Sequence, residues 1–138
     1  MASSTSRPPL LSADGQRPRV HVAPADISQT DGDLASAFAS SYGLTPDPWQ
    51  RFVLDDWLAV KGWRWASLTC GLAIARQNGK NALIEIRELY GAVGLGERIL
   101  HTAHEVKTHL KHFRRMKHFF GEKANDPGAR YPELNALV

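Results

Sequence analysis

The order of its apolar runs predicts an α/β fold, the opening of a parallel sheet with helices packed on it. Residues Leu68–Ile74 form a short, nearly continuous apolar stretch of the kind a central parallel strand buries on both faces. A polar turn ending in Gly79-Lys80 follows, then Leu83, Ile86, Tyr90 and Val93 recur at helical spacing. A second brief run, Ile99–Thr102, precedes another helical pattern over His104–Phe120. Strand–helix–strand–helix is the start of a doubly wound sheet.

Each element has its own signal. Residues 1–32, rich in Ser, Pro, Ala and Asp with scattered Arg, predict a flexible N-terminal arm, and residues 33–138 the folded unit. Asp33 is expected to cap a helix over Leu34–Tyr42 that Gly43 closes. Asp47-Pro48 places an N-cap before a proline at the first helical position, and Trp49, Phe52, Val53 and Trp57 continue that helix towards Gly62. After Gly79 the inward face is Leu83, Ile86, Tyr90 and Val93, with Glu85, Arg87 and Glu88 outward, ending in the Gly91–Gly96 region. The last long helix is expected to bury Val106, Leu110, Phe113 and Phe120, with Gly121 as its cap. Asp126-Pro-Gly128 and Tyr131-Pro132 mark turns. Two strands alone leave the core thin and the sheet edges open, so the sheet is expected to be incomplete.

The composition of the 138 residues is that of a globular domain. No stretch approaches the roughly 18 apolar residues that span a bilayer, and residues 1–20 lack the apolar core of a secretory signal. The single cysteine, Cys70, excludes an internal disulfide and a multi-thiolate metal centre, and is expected in a strand as a small hydrophobe. The net charge of +3 is concentrated in Lys107, Lys111, Arg114, Arg115 and Lys117, opposed locally by Glu105. Such a cluster can meet nucleic-acid phosphates or serve as a solvated helix face.

Three constellations bear on chemistry. In the first, Arg76-Gln-Asn-Gly-Lys-Asn81 joins the expected strand to the expected helix. Backbone N–H groups and the dipole at a helix N-terminus favour anions, and a lysine there reaches the outer phosphates of a nucleotide. The match to G-x-x-x-x-G-K-[ST] is partial, with Ile74 at the first glycine and Asn81 where Ser or Thr would bind magnesium. Two cations in a turn that needs only geometry favour phosphate binding. In the second, Trp49-Gln50 lies upstream of that loop, and the glutamine amide both donates and accepts, as an adenine edge requires. The third is the set His101, His104, His109, His112 and His118. His104-Glu105 reaches His109 one residue too late for a zinc H-E-x-x-H helix, and the His109/His112 pair has no evident third ligand. A solvated or DNA-facing histidine-rich helix is the preferred reading. Asp55-Asp56 reads as surface charge, since adjacent helical residues diverge.

Together, Leu44-Thr-Pro-Asp-Pro-Trp-Gln-Arg51, Ala75-Arg-Gln-Asn-Gly-Lys-Asn81, Arg87-Glu-Leu-Tyr90 and Gly96-Glu-Arg-Ile-Leu-His-Thr-Ala-His-Glu105 resemble the large terminase subunit of tailed, especially actinobacterial, bacteriophages. The resemblance covers about residues 40–120. It implies a P-loop NTPase-like domain and an ATP-driven motor that packages viral DNA into procapsids. Large terminases carry a deviant phosphate loop in which an arginine precedes Gly-Lys. By that likeness Arg76 and Lys80 are the catalytic residues, and Trp49, Gln50, Arg76, Gln77, Asn78, Gly79, Lys80 and Asn81 bind ATP. Asn81 is the candidate Mg2+ ligand, and Lys107, Lys111 and Arg114 are candidate DNA contacts. The implied partners are double-stranded viral DNA, the terminase small subunit, the portal protein and further copies in a homo-oligomeric ring. The implied setting is the host cytoplasm, away from membranes. The Walker B strand ending in Asp-Glu and the nuclease domain do not occur before Val138, so this segment is expected to bind ATP without hydrolysing it efficiently. The alternatives are a non-catalytic DNA-binding or assembly module built on His104–Phe120, and another P-loop NTPase such as a kinase.

Overall fold

The small residues of helix α1 (Gly32–Ser41) let a second helix approach closely, and α2 (Pro48–Trp57) takes that position. A Cβ at Gly32 would stand 2.7 Å from the Asp55 Cα, so only glycine permits this crossing. The computed structural model describes residues 18–75 and 77–138, an α/β arrangement of five α-helices with a small three-stranded sheet.

Ala35 and Ala39 of α1, Leu54 of α2 and the following Leu58 form the main core with Leu83 and Ile86 of helix α3 (Lys80–Leu89) and with Tyr90. Trp49, Val53, Trp57 and Trp65 pack around it. Tyr90–Gly94 continues α3 as a π-helical turn. Tyr90 is buried, and its hydroxyl donates to Asp31 at 3.2 Å; burial first, and the Asp31 carboxylate second, raise its pKa. A second core joins Leu89 to Phe119 of helix α4 (Val106–Phe120) and Leu134 of the short α5 (Pro132–Asn135). Asn135 ties these last elements together. Its side-chain amide donates to the carbonyls of Phe120 and Lys123 at 2.8 and 2.7 Å and its oxygen accepts from the Asp126 N–H.

The sheet differs from the expected one. Strands β1 (Gln29–Thr30), β2 (Ala59–Lys61) and β3 (Arg64–Trp65) pair antiparallel in the order β1-β2-β3. The expected continuation of α2 to Gly62 gives way at Trp57 to β2 and a two-residue turn at Gly62–Trp63. The arm expected over residues 1–32 is pinned at its end, where the Ser28 N–H donates to the Val60 carbonyl at 2.8 Å and β1 joins β2. Residues 1–17 of that arm lie outside the described residues.

Neither apolar run expected to form a parallel strand is paired in a ladder among the described residues. Leu68 and Leu100 are strongly exposed, and Cys70 is exposed too, not a strand hydrophobe. The physical reason is that a strand satisfies its backbone only through a neighbour, and none of the described segments lies alongside these runs as a strand.

The outward face expected of α3 is also revised. Glu85 is fully buried, and Arg115 holds it through a two-nitrogen contact whose Nη2–Oε2 arm is 2.7 Å. That hydrogen bonding keeps the Arg115 guanidinium raised above its ordinary pKa, hence charged. Arg87 pairs with Glu97 at 2.7 and 3.2 Å. The Glu85–Arg115 pair, with Glu88 and His112, sets the face that α4 presents to α3. The buried residues of α4 are His112 and Phe119, while Val106, Leu110 and Phe113, expected inside, are exposed. Asp55, expected at the surface, is buried at the α1/α2 crossing, and Asp56 meets His21 at 2.6 Å.

Candidate functional site

The turn before α3 is built from backbone conformations that ordinary residues avoid. Gly79, the N-cap, sits at φ +76°, where a Cβ is costly, and Gln77 adopts φ +62°. The first-turn amides of a helix have no intrahelical acceptor, and Lys80 and Asn81 open the first turn of α3. Gln77, Asn78, Gly79, Lys80 and Asn81 are all exposed. Arg76 lies outside the described residues.

The pair Trp49-Gln50 meets this turn across 29 residues of chain. Gln50 Nε2 donates to the Gly79 carbonyl at 2.9 Å, while its Oε1 accepts from the Asp47 N–H at 2.7 Å. A Cβ at Gly79 would stand 3.0 Å from Gln50 Nε2 and 3.7 Å from Trp49 Cζ2, so glycine lets the two motifs touch. Gln50 is only 3% exposed. Its amide therefore works first as half of a capping box and as a strut under the turn. One donor and one acceptor position remain on it. The Asp47-x-x-Gln50 spacing was the sequence signal for that structural role, and the adenine reading passed over it.

The basic segment divides in two. Arg115 and Lys117 are engaged with Glu85 and Glu122. Lys107, Lys111 and Arg114 are exposed and follow one another at helical spacing, with no ion pair to any of them among the described residues. Lys111 and Arg114 also line a cleft of about 510 Å³ with His118, Arg130 and Tyr131. Arg130 brings a further cation to it from outside α4. No single stretch of sequence displays this gathering.

The histidines are likewise sorted by the fold. His101 Nδ1 lies 2.7 Å from Glu88 Oε1, and His112 Nε2 lies 2.5 Å from Glu88 Oε2. The two imidazoles stack with centroids 3.8 Å apart and planes within 8°. Glu88 comes from α3, His101 from the extended run after the π-helical turn, and His112 from α4, separations that hide the group from local spacing. His104 is exposed and lies 3.7 Å from Glu105. Comparison with family models, with curated proteins and with solved structures finds no match to this chain.

Proposed function

We propose that this chain carries the nucleotide cradle of a large-terminase-type P-loop ATPase, the motor class that drives viral DNA into procapsids. The observation that carries the proposal is the contact between Gln50 and Gly79, which joins the two nucleotide-associated motifs into one surface. In this reading the amides of Asn78–Asn81 and the positive end of α3 receive the β- and γ-phosphates of ATP. Lys80 supplies the neutralising charge, the Asn81 side-chain oxygen approaches Mg2+, and Arg76 is assigned to the γ-phosphate or to a neighbouring element. Trp49 offers a ring against which adenine can rest, and the buried Gln50 holds the phosphate turn in place beside it. The runs 68–74 and 99–102 are assigned in this reading to the parallel strands flanking the loop.

The exposed row Lys107, Lys111 and Arg114 favours duplex DNA as the polyanion the motor grips. Small subunit, portal and ring partners belong to the same proposal and follow from the motor class alone.

Calorimetric titration with ATP and Mg2+ tests the cradle. The wild-type chain is expected to bind, and Lys80→Ala to bind about ten- to a hundredfold more weakly, the equivalent of a charged hydrogen bond worth about 1.5–3 kcal/mol. Equal affinity in the two proteins, or binding by neither, would overturn the proposal.

A further inference from the structure

The group Glu88, His101 and His112 plays no part in the nucleotide cradle, and its geometry points to a site for one divalent transition-metal ion of the zinc class; we propose this as a second ligand site of the chain. One ligand atom from each residue lies within 4.8 Å of the others. A tetrahedral zinc ion holds imidazole nitrogen and carboxylate oxygen at about 2.0–2.2 Å, which sets its ligand atoms about 3.3 Å apart. The two nitrogen-to-carboxylate separations here, 2.7 and 2.5 Å, need to open by less than about 1 Å to admit it.

Three further features fit that ion. Two imidazoles and one carboxylate form a borderline donor set that suits Zn2+ or Co2+ and not the hard, oxygen-seeking Mg2+ of a nucleotide site. The residues are held by three different segments and are largely withdrawn from water, His112 being 7% exposed, and the stacked rings have to tilt apart so that both in-plane lone pairs meet one ion. The site also opens onto a cavity of about 370 Å³ lined by Ile99, His109, Leu110, Phe113 and Met116. Three protein ligands facing a cavity leave a fourth position for water or a small anion, the arrangement of an open zinc site. An imidazole binds the ion only through a nitrogen that carries no proton, so binding is expected to weaken in acid. The ion would clamp the extended run carrying His101 onto α3 and α4.

Zinc titration by calorimetry, on the full chain stripped of metal by chelator, is expected to give one ion per chain and a higher melting temperature. His101→Gln and Glu88→Gln are each expected to weaken binding by more than about tenfold, the lower end of what loss of a ligand's supporting partner alone costs. His104→Gln, outside the group, is expected to leave binding unchanged. Cobalt supplies a readout on the unaltered chain, because a four-coordinate site gives intense visible d–d bands and a hydrated octahedral ion gives weak ones. No zinc binding, weak octahedral bands, or affinity retained in both His101→Gln and Glu88→Gln would overturn the assignment.

Discussion

Gln50 shows how one side chain can serve stability and the site together. Its oxygen satisfies the Asp47 N–H at the start of α2, and its nitrogen holds the Gly79 carbonyl at the start of α3. Removing it frees a cap donor and unties the turn, so Gln50→Ala is expected to lower unfolding stability by about 1–2 kcal/mol in urea melts, even without nucleotide. A loss near zero would mean that the contact with Gly79 contributes nothing to the turn. The identity of such residues was legible in the sequence, but their partners were not. Trp49, Gln50, Gly79 and Lys80 stood out by type and spacing, whereas the pairing of Glu85 with Arg115, 30 positions away, has no local signature. Glu88 was missed for the same reason. On a helix pattern it reads as one more solvent-facing acid.

Among elements, helices were readable because their hydrogen bonds close within four residues and their caps are written beside them. Asp47-Pro48 starts α2, and Gly121 ends α4 with its N–H on the Lys117 carbonyl. Strands were not, since the same apolar run forms a ladder only where a neighbour exists. Leu68–Ile74 lacks one among the described residues, while the less apolar Ala59–Lys61 gains two. The rotation of α4 has the same origin, for Glu85 and Glu88 on α3 hold Arg115 and His112 against the pull of Val106, Leu110 and Phe113. The Glu85–Arg115 tether is asymmetric, with the acid fully buried and the arginine side chain half exposed. Arg115→Ala strands a buried carboxylate and is expected to cost about 3 kcal/mol or more, whereas Glu85→Gln lets the arginine turn to water and costs about 1 kcal/mol. Chemical denaturation of the two variants checks the order; the reverse order would place the charge burden on the arginine.

Across the whole molecule, the charge is sorted more sharply than a net +3 suggests. Acids on α3 neutralise the inward half of α4, leaving Lys107, Lys111 and Arg114 on its outer half, while the exposed turn at Asn78–Asn81 opens the other end of α3. If the basic row grips duplex DNA, affinity is expected to fall steeply with salt. The double variant Lys111→Ala/Arg114→Ala is then expected to flatten the log–log slope by about 2, one for each phosphate no longer neutralised. Fluorescence anisotropy across a salt series measures this, and an unchanged slope would remove those residues from the interface. The α/β character and the helices could be read from residue order, whereas the convergence of Trp49, Gln50 and Gly79 depends on how α1, α2 and α3 pack.

The most direct test of the cradle is an amide ¹H–¹⁵N correlation spectrum of the chain titrated with ATP and Mg2+. The expected result is a set of saturable shifts centred on Asn78, Gly79, Lys80 and Asn81, with the indole of Trp49 and the side-chain amide of Gln50 moving alongside. Shifts confined to the basic face of α4, with the turn before α3 unmoved, would contradict a nucleotide site there.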